Sequence, residues 1–215
     1  MQPYKPVFKL VKQLLRVYDA CLCTRVLLLV LLHYHPKVRL CRPKNLHRGG
    51  IAGGSEKCAF VKDELGFDDC LDHKQNDLKG RLKDACAKGI DVYFENVGGK
   101  VFEAVLPRLN DFARVPICGM IANYNATSRD ELQSDVYMFE LMRNMLVKRM
   151  HFEGFIVSDH WAEQMPKFQR DMAKWNEQKP FTYREDITEG LENAPATFNG
   201  LLKGGNFGKT IIKVA

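Results

Sequence analysis

From residue 50 onward, short apolar runs alternate with stretches in which apolar residues recur every three or four positions. The runs predict strands and the stretches predict amphipathic helices, an alternation that marks an open parallel sheet. Gly50-Ile51-Ala52-Gly53-Gly54 reads as a strand end and its turn. Ser55 is a suitable N-cap for a helix running to Gly66, a glycine where a helix C-terminus favours one. Further strands are expected at 68–72, 90–96, 113–119 and 151–157. Helices are expected at 77–87, with Leu78, Leu82 and Ala85 inward, and at 100–109 and 134–149. A long helix follows at 161–178, where Pro166 fits only a first turn. The tail predicts a strand at 183–187, a helix at 195–202 and a last strand at 209–214.

The first 49 residues have another texture. They carry ten Lys/Arg against one acid, Asp19, for +9, so the rest of the chain sums to −3 within the overall +6. A uniform basic surface is therefore the wrong picture, nothing downstream suggests a nucleic-acid face, and no nucleic-acid partner is expected. The apolar run Val26–Leu32 spans about 10 Å as a helix, against a bilayer core of about 30 Å. Arg25 and Asp19 lie upstream, where charge is costly at membrane depth, so no membrane span is expected. No small-x-small cleavage site follows the run, which argues against a signal peptide. Two readings stay open: a basic surface helix over 4–18, with Val7, Leu10, Val11, Leu14 and Leu15 on one face, or a segment never selected to fold. The seven cysteines (Cys21, Cys23, Cys41, Cys58, Cys70, Cys86, Cys118) are odd in number and include no Cys-x-x-Cys pair. Reduced thiols in the cytoplasm fit that pattern better than a disulfide framework or a zinc knot.

In doubly wound sheets a ligand lies beyond the carboxyl ends of the parallel strands. Four motifs fall there. In Gly53-Gly54-Ser55-Glu56-Lys57 the glycines permit close backbone approach, and Lys57 places positive charge in a first helical turn. A lysine opposes the helix dipole at that position, which makes sense beside a phosphate; a solvated surface lysine is the plain alternative. Glu95-Asn96-Val97-Gly98-Gly99 puts polar groups and two glycines directly after an apolar strand, a ligand-edge arrangement and also an ordinary strand-to-helix turn. Cys118-Gly119-Met120-Ile121-Ala122-Asn123-Tyr124-Asn125 follows another strand, and Tyr124 offers a phenolic hydroxyl as donor or proton source. Gly154-Phe155-Ile156-Val157 is either a fourth ligand edge or core.

In their order and spacing these motifs resemble the zinc-free medium-chain dehydrogenase/reductases of the alkenal/one reductase group. That group holds prostaglandin reductase, plant double-bond reductases and bacterial curcumin reductase, and the resemblance to the last branch is strong. The matching stretches run through GIAGGSEKC, ELGFDDCLDHK, KGIDVYFENVGGKVFEAVLP, ARVPICGMIANYN, FEGFIV and YREDITEGLENAPATFNGLLKGGNFGKTIIKV. The resemblance implies an α/β fold: part of a Rossmann-type doubly wound parallel sheet, with C-terminal elements that return to a GroES-like catalytic domain. It implies NADPH as cofactor and a small enal or enone as substrate. Hydride passes from NADPH to the β-carbon of the α,β-unsaturated carbonyl, and the resulting enolate is protonated.

The same resemblance assigns residues. Lys57, beside Gly54, would bind the 2′-phosphate. His73 stands where relatives often have a tyrosine at the adenosine end. Asn96, Cys118, Gly119 and Ile121 would flank the nicotinamide and its ribose. Tyr124 would be the catalytic residue, steadying the ribose and enolate side. Phe155, Ile156 and Val157 would pack near the nicotinamide, and Asn206 would bond a cofactor phosphate or nearby backbone. No metal is implied, because the zinc-binding cysteines and histidines of alcohol-dehydrogenase relatives have no counterpart. A homodimer is implied, paired through the strand at 151–157, whose apolar edge also invites association.

Residues 1–49 match none of the family's upstream sequence, and no G-x-G-x-x-G-like run precedes Ile51. Such a loop normally cradles the pyrophosphate. Codons for Leu46–Gly50, read one nucleotide later, can encode Cys-Ile-Val-Val-Gly, close to what relatives carry there; a one-base slip is thus an expectation. The organisation expected is a non-family basic segment at 1–49, the C-terminal part of an NADP-binding domain at 50–166 and a C-terminal reductase segment at 167–215. Three functions follow: an impaired, truncated ene-reductase, a non-enzyme that binds dinucleotide weakly or only self-associates, and a membrane-surface protein using the basic N-terminus.

Overall fold

The computed structural model describes residues 47–132, 138–156, 158, 161–178 and 180–214. The readings of 4–18 and 26–32, and the site residue Val157, lie outside them. The described residues fall into two compact units, 48–62 with 67–155 and 156–214 with 47 and 63–66.

In the first unit, β1 (Gly49–Ala52) leads into α1 (Ser55–Ala59), which continues as a π-type turn over Phe60–Glu64. Next come β2 (Asp69–Asp72), α2 (Leu78–Ala85), β3 (Ile90–Val92), α3 (Gly99–Val105), β4 (Leu109–Ile117), α4 (Met138–Lys148) and β5 (His151–Gly154). Every strand pair is parallel: β1 with β2, β3 with β4, and β4 with β5. The expected single sheet is thus two sheets, β1-β2 and β3-β4-β5. The doubly wound order is 3-2-1-4-5-6. The observed pairings are its 3-2 and 4-5-6 portions, and among the described residues nothing pairs with the second edge of β1 or of β3. Both sheets share one core. Leu82, Ala104, Val105, Leu106, Leu109, Ala113, Val115 and Met150 form it, with Ile51 and Leu71 packed on it from one sheet and Ile90, Ile117 and Phe152 from the other.

Several elements differ from expectation for local reasons. The helix at 100–109 stops early: Pro107 sits in a 3-10 turn over Leu106–Arg108, and Leu109 already starts β4. That early start crosses polar residues held from the side. Asn110 donates to Lys88 O and Asp91 Oδ1, Lys148 Nζ donates to Leu109 O at 2.7 Å, and Arg149 pairs with Asp111 while its guanidinium lies over the Phe112 ring. Strand β3 is shorter than expected, although Glu95 still bridges to Ile117. Strand β5 likewise ends at Gly154 rather than 157. Inward residues on α2 are Leu82 and Leu78, with Cys86 rather than Ala85 packed on the core.

The second unit holds α5 (Trp161–Gln178), β6 (Glu185–Glu189), α6 (Ala194–Leu202) and β7 (Lys209–Lys213), with β6 and β7 parallel over five residue pairs. Helix α5 runs through Pro166, its sixth residue. The carbonyl that loses its i+4 donor belongs to Ala162, an exposed residue where water can replace it.

Candidate functional site

Two turns carry the candidate residues. At the end of β1, Gly54 occupies the cap position of α1 with φ 101 and ψ 152 and no side-chain cap bond. That backbone region is essentially restricted to glycine. The turn therefore needs glycine at the cap itself and places Ser55 inside the helix, which corrects the expected Ser55 cap. Gly54 N–H donates to Asp72 Oδ1 at 2.8 Å, and the same oxygen accepts Lys74 N–H at 2.9 Å. His73 N–H donates to Ala52 O at 2.9 Å, which ties the turn to the end of β2. These two donors to the carboxylate, aided by the charges of His73 and Lys74, hold buried Asp72 below the usual carboxylate range. A Cβ on Gly53 would lie 2.9 Å from His73 Nε2 and 3.1 Å from Lys74 Cε, so a larger residue there would have to push these two side chains aside. Lys57 follows in α1, half-buried.

At the end of β3, buried Glu95 organises the second turn. Its Oε1 accepts Val97 N–H at 2.6 Å and Gly98 N–H at 2.8 Å. Its backbone N–H donates to Pro116 O, and its backbone oxygen accepts Cys118 N–H at 2.8 Å and Gly119 N–H at 3.4 Å. Gly98 sits at φ 68 and ψ −156, again glycine territory. Oε2 is buried without a hydrogen bond of normal geometry. Burial pushes the Glu95 carboxyl above its ordinary range, and the Gly98 and Val97 N–H groups and the Tyr93 hydroxyl offset only part of that.

This second turn brings candidate residues together. A Cβ on Gly119 would lie 2.6 Å from Asn96 Oδ1 and 2.8 Å from Tyr124 Oη. Met120 N–H donates to Tyr124 Oη at 3.3 Å. Ile121 N–H donates to Asn96 O at 3.3 Å and Ala122 N–H to Val97 O at 2.9 Å. An amide, a phenol and a glycine that leaves room for both thus meet at the carboxyl ends of β3 and β4. That donor set suits a polar planar ring with a sugar attached, which is the chemistry a nicotinamide nucleoside presents.

The other candidates are placed as follows. Cys118 is half-buried and in no disulfide with a described cysteine. The Phe155 ring lies 6.4 Å from that of Phe94, and its N–H donates to Ile117 O. Ile156 is exposed. Asn206 belongs to the second unit, where its Nδ2 donates to Gly208 O at 2.8 Å. Of Lys57, Asn96, Tyr124 and Asn206, expected to converge, Asn96 and Tyr124 both approach the Cβ position of Gly119. Sequence reasoning passed over Asp72, Glu95 and Lys74. The only local sign of the two acids is an acidic residue at or just past a strand end, which by itself does not tell a turn-facing acid from a solvated one.

Among the described residues no three His, Cys, Asp or Glu side chains come together to hold a metal ion. No described helix is long and apolar enough to cross a membrane.

The sequence profile described as zinc-binding dehydrogenase matches residues 47–174. The chain belongs to that family. It is 51% identical over 166 residues to the NADPH-dependent curcumin reductase of Escherichia coli, covering 77% of this chain and 48% of that protein. It is 40% identical over 167 residues to prostaglandin reductase 1 of Bos taurus, covering 76% of this chain and 48% of that protein. The crystal structure of CurA in complex with NADPH from Vibrio vulnificus superposes with a TM-score of 0.73 at 50% identity, covering 78% of this chain and 49% of that one. The chain thus spans about half the length of the relatives it matches. The resemblance to the curcumin, prostaglandin and alkenal reductase group holds across that half.

Proposed function

We propose that this chain binds NADPH along the carboxyl ends of β1, β3 and β4 and serves the reduction of α,β-unsaturated carbonyls. The observation that carries the reading is the meeting of Asn96 and Tyr124 over Gly119. The chain around this cluster is also half identical to a reductase whose name specifies NADPH. Lys57, Gly54 and His73 take the 2′-phosphate and adenosine end. Asn96, Cys118, Gly119 and Ile121 line the nicotinamide ribose, with Phe155 and Ile156 toward the ring. Tyr124 is the catalytic residue, and its hydroxyl steadies the enolate side. Asn206 keeps its phosphate role on the resemblance alone. The bound cofactor supplies hydride; the chain's own residues hold and orient it.

The 215-residue polypeptide by itself turns over slowly. Holding nicotinamide and alkene at near-attack distance contributes about 7–11 kcal/mol. A glycine-rich phosphate loop is part of that grip in relatives, and none precedes Ile51 here. The test is NADPH oxidation with a short enal, comparing this polypeptide with a version carrying the family's upstream sequence. Turnover confined to the longer version supports the reading; equal turnover overturns the slow-turnover claim, and no NADPH binding by either overturns the reading itself.

Cytoplasmic location, zinc independence and a homodimer complete the proposal. The dimer is supported by β5, which pairs only with β4 among the described strands, and by α4, whose Met138, Phe139, Met142 and Leu146 are all exposed. Sedimentation showing a soluble monomer at micromolar concentration would refute it.

A further inference from the structure

We infer that Glu95 is a positioning residue: its single carboxyl sets the turn that brings Asn96 and Tyr124 onto Gly119. The inference deepens the reading of that cluster as a nicotinamide site and rests on it for its functional meaning.

Glu95 acts in two directions. Its backbone fastens β3 to the 116–119 strand end through Pro116, Cys118 and Gly119. Its side chain fastens the 97–98 turn through Val97 and Gly98. That turn in turn carries the 121–124 segment, because Asn96 O and Val97 O accept the N–H groups of Ile121 and Ala122. Tyr124 itself is exposed, so packing does little to fix its ring. Its hydroxyl takes its place from the Met120 N–H, which stands on the same backbone frame. Without the carboxyl, two N–H groups lose their acceptor, one of them on buried Gly98, and Gly98 must still hold φ 68. The requirement is for an acceptor oxygen at the reach of a three-bond side chain. Glutamine supplies that oxygen without charge. Aspartate keeps a carboxyl but falls one methylene short, and alanine supplies nothing.

The test measures amide hydrogen exchange on the full 215-residue chain as wild type, Glu95→Ala, Glu95→Asp and Glu95→Gln. Exchange at Cys118, Gly119, Ile121 and Ala122 is expected to quicken by about tenfold in the alanine and aspartate variants, the scale of one lost hydrogen bond. Glutamine is expected to restore wild-type rates, and the β6–β7 amides of the second unit are expected not to change. If the alanine variant fails to fold, the aspartate–glutamine pair carries the same contrast. Unchanged exchange in the alanine or aspartate variant, or equal damage in all three, overturns the inference. NADPH titrated into the same samples by fluorescence separates the two claims. Affinity lost with aspartate and recovered with glutamine supports both. The expected exchange pattern without NADPH binding, even in wild type, supports the positioning role and overturns the nicotinamide reading.

Discussion

The turns after β1 and β3 solve one problem with opposite electrostatics. Each places a glycine in backbone space closed to other residues, Gly54 in one and Gly98 in the other. Each aims the glycine N–H at one oxygen of a buried carboxyl, which also accepts a second backbone donor. The partner of Gly54 comes from the neighbouring strand, with His73 and Lys74 beside it; that of Gly98 is Glu95, just past the end of β3, buried and with the Tyr93 hydroxyl near it. Asp72 is accordingly held low and Glu95 pushed high. The same hydrogen-bond pattern keeps a charge where cations are near and disfavours one where they are not. On the proposed reading, the turn with cations beside it faces the phosphate end of the dinucleotide, and the turn whose burial disfavours charge faces its ring.

The largest expected effect separates the two carboxyls by substitution. Removing the Glu95 acceptor leaves two N–H groups unpaired, at about 1–3 kcal/mol each, so Glu95→Ala should cost about 2–6 kcal/mol. Asp72→Ala should cost about 1 kcal/mol, because exposed Lys74 lets water reach one of the abandoned donors. Urea unfolding of both variants checks the order, and a larger loss at Asp72 would break the comparison.

Next in size are the glycines. Gly54→Ala and Gly98→Ala should each cost about 1–3 kcal/mol, the scale of strain in that backbone region. The backbone strain should be similar at both, with a further loss at Gly98, where a Cβ would sit 3.3 Å from Met120 Cβ, while at Gly54 it would meet nothing within 4 Å. A cost at only one position, again read by urea midpoints, would show that the other turn can relax.

How far the sequence alone reaches is clearest here. Apolar runs such as Val92-Tyr93-Phe94 and the glycine pairs 53–54 and 98–99 marked the strand ends, and with them Asn96, Gly119 and Tyr124. The roles of Asp72 and Glu95 were not legible, because a single acid at a strand end looks the same whether it faces solvent or its own turn. The early start of β4 was hidden for a related reason: Asn110 and Asp111 look like loop residues until Lys88, Asp91 and Arg149 are seen to hold them. Division into two sheets depends on which edges find partners, which no local pattern encodes.

A smaller effect has opposite signs at the two turns. Asp72, held low, contributes stability that is full above its ordinary value of 3.8 and is lost as pH falls through its folded value. Glu95, held high, binds its proton more tightly when folded, so stability falls as pH rises from its ordinary value of 4.5 through its folded one. Chemical unfolding across this range should show Asp72→Asn flattening the acid limb and Glu95→Gln removing the decline above 4.5. One variant removing both slopes would contradict the assignment.

The central claim, that these turns hold the two ends of NADPH, is tested most directly by titrating NADPH and NADH into wild type, Lys57→Ala and Asn96→Ala at low and high salt. The account predicts that wild type prefers NADPH and that salt weakens this preference, as expected for a charge pair with phosphate. Lys57→Ala should erase the preference, whereas Asn96→Ala should weaken both cofactors by the same factor. Equal affinity of wild type for the two cofactors, or a preference that survives Lys57→Ala, would contradict it.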